Sequence, residues 1–252
     1  MSAAREIANL RSIPTNGNIL LDYTAGDALQ AGGTCNIAAG LNALGAATTG
    51  DDNVAIGQLA LGAGVTTGAV NIAIGKNAAD ALTSGACNIA LGVNALGAAT
   101  NNNNNIAIGE SALTASDGDG DNNIAIGKLA LGGADVSGDH NIAIGANSAD
   151  ALTSGACNIA IGKAALTEVT SGNDNIGIGR AALNNTTDGC NNIAIGQSAL
   201  AASVNDGDFN IAIGCGTMGG ADVSGCQNIA MGTSAADALT SGVYNVAIGT
   251  GA

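Results

Sequence analysis

Residues 71–92 read NIAIGKNAADALTSGACNIALG, and the five letters that open this stretch return almost unchanged at its end. With the Asn of NIAIG set as column zero, the phrase recurs along the chain with every spacing equal to 17 or 18 residues. A degenerate copy, NILLDYTAGDAL, begins at Asn18, so the chain contains fourteen units. Column zero holds Asn18, Asn36, Asn53, Asn71, Asn88, Asn105, Asn123, Asn141, Asn158, Asn175, Asn192, Asn210, Asn228 and Asn245. Self-similarity at a fixed period predicts a repeat architecture.

The first five columns of each unit predict a strand. Column +1 is Ile or Val in every unit, and column +3 is Ile, Leu or Met except at Ala39. Column +2 is Ala except at Leu20 and Gly177, and column +4 is Gly except at Asp22. Period-two alternation with branched apolar residues is typical of a strand and not of a helix. We expect the Ile/Val face to be the core and the Ala/Gly face to admit a neighbouring backbone.

Two further columns predict how the rest of each unit folds. Column +8 is often Leu, as at Leu96, and where it is not, a Leu can follow Asp-Ala at column +11, as at Leu82, Leu152 and Leu239. Both patterns place one Leu in the same core, which predicts a second short strand or a bend. Column −3 is Gly in all units but two, and Gly is the default residue where φ must be positive. We therefore expect a left-handed turn at Gly85, Gly120, Gly138 and Gly155.

These columns together predict an all-β fold, a parallel β-roll or β-solenoid of about fourteen coils of 17–18 residues. Coils stacked at the strand spacing of ~4.8 Å would make a rod of roughly 65 Å. Identical polar side chains form ladders when strands stack in register. A ladder with a structural role is expected for Asn71, Asn88, Asn105, Asn123, Asn141 and Asn158.

The start of the repeat divides the chain into a segment 1–17 and a repeat domain 18–252. Segment 1–17 holds two of the six basic residues and the only Pro, and it is predicted to be a cap or an attachment segment.

Large apolar side chains contribute ~1.5–3 kcal/mol each when buried, whereas ordering a residue costs ~1.5 kcal/mol. A lone rod with three such side chains per coil is marginal, so we expect lateral association into a homotrimeric rod. The last coil is expected to be covered by more of the same rod, by a second protein or by a stacked copy of the trimer.

Composition and charge narrow the classes of function. The formal net charge of −14 disfavours binding to nucleic acid or to anionic lipid, because like charges repel. No apolar run approaches the ~20 residues of a membrane span, so no membrane insertion is expected. The opening MSAAREIANLRSIPTNG lacks the apolar region of a secretory signal. We expect synthesis in a cytoplasm, followed by retention there or by release through lysis or within a particle.

No motif in the sequence is typical of an active site, and neither an enzymatic activity nor a cofactor is expected. The only His, His140, lies in a turn column and is expected to be exposed. The stretch SDGDGDNN offers a calcium candidate at Asp117, Asp119 and Asp121, although an ordinary polar turn is favoured. Thr is scattered through the turns, which disfavours ice binding.

Column +5 is expected to be a solvated face, with a receptor-binding stripe as the alternative, at Lys76, Lys128, Lys163 and Arg180.

Units of the form NxAIGxxAL resemble the head repeats of trimeric autotransporter adhesins, and the NNIAIGxxAL form resembles repeats of bacteriophage tail-fibre proteins still more closely. The resemblance covers residues 18–252 and implies a trimeric β-roll that projects as a rod from a surface. The chain shows no signal peptide, heptad stalk or membrane anchor, which favours a virion fibre over an adhesin. The expected partners are copies of itself and a larger virion body, with contact to a host-surface glycan or protein left open. The alternative is an extracellular, cell-surface adhesin or an ice- or surface-binding monomeric solenoid.

Overall fold

The structure is a computed structural model that describes residues 16–22, 24–29, 32–116, 120–203 and 207–252. The described residues form fourteen strands and no helix. The chain divides into two compact units, Met1–Asn122 and Asn123–Ala252, called here the N-terminal and the C-terminal unit. Residues 1–15 of the predicted attachment segment lie outside the described residues.

Each repeat contributes one short strand, built from columns +1 to +3. The remainder of each described coil consists of turns and bends, so a bend, and not a second strand, follows the first strand. The strands are β1 Ile19–Leu20, β2 Ile37–Ala39, β3 Val54–Ile56, β4 Ile72–Ile74, β5 Ile89–Leu91, β6 Ile106–Ile108, β7 Ile124–Ile126, β8 Ile142–Ile144, β9 Ile159–Ile161, β10 Ile176–Ile178, β11 Ile193–Ile195, β12 Ile211–Ile213, β13 Ile229–Met231 and β14 Val246–Ile248.

The strands pair in parallel and follow chain order, β1 to β6 in the N-terminal unit and β7 to β14 in the C-terminal unit. The register places like columns over each other, as Ile72 pairs with Ile89 and Ala73 with Ala90. The backbone N–H of Ile72 donates to the carbonyl of Asn88 at 2.8 Å, which extends the hydrogen bonding between coils beyond the strand. The predicted all-β fold, a parallel β-solenoid of 17–18-residue coils, is therefore confirmed.

The core contains the Ala face of each strand, and our assignment of the Ile face to the core is wrong. Ala73 and Ala143 are fully buried, whereas Ile74 and Ile144 are 40% and 36% exposed. The reason is the thin interior of the coil, which already holds the column-zero Asn. Because side chains alternate along a strand, a buried column zero directs column +2 inward and columns +1 and +3 outward. Ile142, in column +1, was expected in the core but is half-buried, so an Asp substituted there would lie on the outer face.

The large side chains of the core are the Leu residues of columns +8 and +11. Leu96, at column +8, is fully buried, and so are Leu82 and Leu152 at column +11. In the coils of Leu82 and Leu152, column +8 is the buried Ala79 or Ala149. The prediction that two sequence patterns fill the same core with one Leu is confirmed for these coils, whereas Leu239, in the coil before the last, is half-buried.

The column −3 glycines have a different role from the predicted one. No positive φ occurs at Gly85, Gly138 or Gly155, so the expected left-handed turn at these positions is wrong. A Cβ on Gly138 would instead collide with the carbonyl oxygen of Gly155 in the next coil. The left-handed residues other than Gly lie in columns −1, +6 and +8, as at His140 with φ of 61°. Close stacking of coils, and not turn conformation, therefore favours Gly in column −3, where Asn102 is the exception among the described residues.

Moving the core Leu of one coil from column +11 to column +8 tests this packing. We expect Leu152→Ala to lower the free energy of unfolding by ~2–5 kcal/mol, because it removes a fully buried side chain. Adding Ala149→Leu should recover at least half of that loss, because neighbouring coils hold a buried Leu at column +8 with a similar φ. Chemical denaturation followed by circular dichroism measures both variants. A double variant no more stable than Leu152→Ala would contradict the shared core site.

Candidate functional site: the outer face of the sheet

The column-zero Asn side chains form a hydrogen-bonded ladder that supports the outer face from inside. Asn71 donates from Nδ2 to the carbonyl of Gly85 at 2.9 Å and to Oδ1 of Asn53 at 3.1 Å. Its Oδ1 accepts the backbone N–H of Asn88 at 3.0 Å and Nδ2 of Asn88 at 3.1 Å. This Asn thus joins its own coil to the coils on either side, and both polar atoms of its side chain are paired.

The ladder extends through each unit and includes the residues singled out in the sequence. In the N-terminal unit, Asn105 donates its backbone N–H to Oδ1 of Asn88 and its Nδ2 to the carbonyl of Gly120. In the C-terminal unit, Oδ1 of Asn123 accepts the backbone N–H of Asn141. Oδ1 of Asn141 accepts that of Asn158 in turn. Asn side chains therefore link successive coils within both units.

The first and third side chains of the strands form an exposed apolar surface, called here the Ile stripe. In the C-terminal unit it comprises the outward residues of β7 to β14, of which Ile144, Ile161 and Ile195 are 36%, 36% and 37% exposed. Eight strands at ~4.8 Å and a width of ~10 Å give an area of roughly 400 Å². A contiguous apolar patch of this size is often an interaction surface.

Basic residues lie along one side of this stripe. Lys76, Lys128, Lys163 and Arg180 are all exposed in the structure. In residues 123–252 all three Lys and Arg residues occupy column +5, and none of the ten Asp and Glu residues does. The N-terminal unit differs, because its column +5 includes Glu110. The sequence pattern identified the column, but its position beside an exposed apolar stripe became visible only in the structure.

Acidic residues lie on the other side of the stripe, just before column zero. Asp174, in column −1, is exposed, and Asp139 and Asp208, in column −2, are half-buried. Oδ1 of Asp208 accepts the backbone N–H of Cys190 in the preceding coil at 2.7 Å. The C-terminal unit therefore presents an apolar stripe between a basic and an acidic border.

The calcium candidate is only partly described. Asp117 and Asp119 lie outside the described residues. Oδ1 of Asp121 accepts the backbone N–H of Asn103 at 2.6 Å, so this carboxylate bridges two coils. Within the described ranges, no group of three or more His, Cys, Asp or Glu side chains is arranged to hold a metal ion.

Isolated titratable and thiol groups complete the surface. His140 is exposed, and the six cysteines are free thiols. Burial raises the pKa of the Asp80 carboxyl, although backbone N–H groups of Ala63 and Gly62 donate to it and oppose this effect. In the part of the chain that the structure describes, no helix is long and apolar enough to cross a bilayer.

Hydroxyl stacks in the turns are a feature that the sequence analysis missed. Thr153 donates its backbone N–H and its Oγ1 to the carbonyl of Thr170, at 2.9 Å and 3.0 Å. Thr170 donates to the carbonyl of Thr187 in the same way. All three share column +12, but other units hold residues such as Val65 or Asp135 there, which interrupts the pattern in the sequence. Because these hydroxyls bond to the next coil, their donors are directed to the protein.

The fold and this surface define the chain as a repeat solenoid with an extended apolar outer face. Scanned against protein-family models, the chain matches no family, and searches of the curated proteins and of the solved structures find no match.

The contribution of the ladder can be measured within one coil. We expect Asn71→Ala to lower the free energy of unfolding by about 3 kcal/mol, because the buried carbonyl of Gly85 and N–H of Asn88 lose partners at ~1–3 kcal/mol each. Lys76→Ala, five residues away on the exposed face, should change it by less than about 0.5 kcal/mol. Denaturant titration provides both values. Equal effects of the two substitutions would contradict the structural role of the ladder.

Proposed function

We propose that the protein is a structural rod subunit that associates laterally with copies of itself through the Ile stripe. The exposed Ile stripe is the single observation that supports this function best. At roughly 400 Å², the stripe is as large as the largest apolar patch on a typical monomeric protein, and such patches are often functional. The Ile stripe replaces the Ala face, which the sequence suggested as the contact, because the Ala face is buried within each coil.

The energetics of burial agree with a contact that uses many coils at once. Removing roughly 400 Å² of apolar surface from water on one chain contributes about 10 kcal/mol. Association of two proteins costs about 4–15 kcal/mol in lost freedom and ordering. A single coil contributes only a small part of this gain, so the contact depends on repeating the two outward side chains of each strand in successive coils. Repetition of these two outward side chains from strand to strand is the pattern expected of a rod-forming subunit.

The number of chains and the biological setting rest on the resemblance to phage tail-fibre repeats. We propose three chains, because narrow stripes on three thin solenoids can converge on a common axis. The proposed setting is a virion appendage, in which the rod holds other parts at a distance and its turns face solvent. Contact with a host-surface glycan or protein would then occur along these turns. The coil-to-coil bonding of the stacked Thr hydroxyls argues against an ice-binding face made from them.

Light scattering coupled to size-exclusion chromatography tests this function. The expected mass of the wild type is three times the chain mass of 23.8 kDa. The double variant Ile144→Glu/Ile161→Glu should have the mass of one chain and keep its far-ultraviolet circular dichroism, because both side chains already face outward.

The matched control carries the same added charge on the same part of the chain. Ser154→Glu/Ser171→Glu changes two exposed turn residues outside the stripe and should retain the mass of the wild type. A wild-type protein that stays at 23.8 kDa at every concentration would refute lateral association. Loss of association in the control alone would exclude the Ile stripe as the contact.

A further inference from the structure

We infer that three exposed side chains of the C-terminal unit, Phe209, Gln227 and Tyr244, form a binding site for a neutral, extended polysaccharide. They are called here the aromatic platform. All three occupy column −1, in the successive coils that contain β12, β13 and β14. This inference rests on the proposed function, which leaves contact with a glycan or protein open along the turns, and it assigns that contact a surface and a ligand class.

The aromatic side chains of the chain are concentrated in this column. The sequence contains one Phe, two Tyr and no Trp, and Tyr23 lies outside the described residues. The other two are exposed, Phe209 by 54% and Tyr244 by 74%. Phe209 has described coils on both sides, so column −1 itself directs its ring outward. Neither ring therefore packs in the core.

The backbone conformation of the platform does not call for aromatic residues. It is left-handed, with φ of 56° at Phe209, 61° at Gln227 and 59° at Tyr244. Short polar residues tolerate this conformation better than bulky ones, and other coils place Asp174 or Asn191 in column −1. Because the two rings serve neither the turn nor the core, a ligand outside the chain accounts for them.

Hydrogen bonds hold the platform in register before any ligand binds. Each backbone N–H donates to the column −2 carbonyl of the preceding coil, at 3.1 Å from Phe209, 3.0 Å from Gln227 and 3.3 Å from Tyr244. Phe209 and Tyr244 are two coils apart, which corresponds to ~9.6 Å at the strand spacing. A site that is already in its binding conformation loses less freedom when the ligand arrives.

A polysaccharide matches both the rings and their separation. A pyranose ring has an apolar C–H face bordered by hydroxyl groups, so it can stack on an aromatic ring and form hydrogen bonds beside it. In a cellulose-type chain successive sugars turn over, and a pair of them spans about the distance from Phe209 to Tyr244. Alternate sugars can therefore stack on the two rings. Gln227 is exposed and its amide has no hydrogen bond within the described residues, so it can bond the hydroxyls of the sugar between them.

Charge and shape disfavour other ligands. Residues 123–252 contain ten acidic and three basic side chains, so an anionic polymer would be repelled. The anchors of protein interfaces usually fill well-packed pockets, whereas the platform is an exposed row of ring, amide and ring. It lies outside columns +1 and +3 of the Ile stripe. The rim of an interface is accessible to solvent, so lateral contact can leave the platform open.

Native gel electrophoresis of the full-length protein, in gels that contain a soluble polysaccharide, tests this site. Hydroxyethyl cellulose and glucomannan are neutral, extended probes and should retard the wild type. Carboxymethyl cellulose has the same backbone as the first probe but is anionic, and it should retard the protein less. Dextran is neutral but forms a flexible coil, and it should leave the mobility unchanged.

Substitutions in column −1 test the role of the rings. Phe209→Asn and Tyr244→Asn each remove one ring and introduce a residue that suits the left-handed backbone, so the melting temperature should not fall. Each should raise the dissociation constant for hydroxyethyl cellulose by about two- to tenfold, and the double variant by the product of both effects. Phe209→Tyr should retain binding. Val70→Asn, an exposed position of the same column in the N-terminal unit, is the matched control and should bind as the wild type does.

The outcomes separate this inference from the proposed function. A wild type that neither neutral, extended probe retards, or a double variant retarded as strongly as the wild type, would overturn the inference and leave lateral association standing. Equal retardation by dextran or carboxymethyl cellulose would overturn the ligand class. A double variant with the mass of one chain beside a multimeric wild type would show that the rings bind a neighbouring copy instead. A monomeric wild type whose retardation depends on both rings would refute lateral association and support this site.

Discussion

The inward position of the column-zero Asn is the constraint on which the rest of the structure depends. Inside the coil, its Nδ2 donates to a backbone carbonyl, as Asn71 does to Gly85. Its Oδ1 accepts a backbone N–H of the following coil, as Asn71 does from Asn88. These backbone groups are buried between coils and would be costly to leave without partners. Once the Asn side chain points inward, the alternation of the strand places Ala inside and Ile outside.

The ladder therefore explains both the thin core and the exposed stripe. Room beside the Asn column suffices for Ala and for one Leu or Met, with a buried Val as well in some coils. The close approach of successive coils requires Gly at positions such as Gly138. The branched apolar residues of each strand are left outside, where a neighbouring chain can bury them. Assembly through the Ile stripe would then supply apolar burial that a narrow interior cannot provide.

The period, the strand, the register and the exchange of Leu between two columns were predictable, because each leaves a direct periodic signal in the sequence. The buried face was not, because hydrophobicity alone favours Ile142 over Ala143, and only the hydrogen bonds of Asn141 reverse that choice. The role of Gly138 depends on the distance between coils, and the Thr153 stack belongs to a column that other residue types interrupt. The apolar stripe and its charged borders follow from the reversed face, so the candidate site required the structure.

The most direct test of this account is hydrogen exchange of the Asn side-chain amides, followed by nuclear magnetic resonance on the labelled protein. Asn71, Asn88 and Asn158 should exchange orders of magnitude more slowly than the exposed Asn191, because their Nδ2 groups donate within the buried ladder. Slow exchange at the column-zero positions, together with immediate exchange at Asn191, is the predicted result. Equally fast exchange at all of these amides would contradict an inward Asn column and the orientation of the strands derived from it.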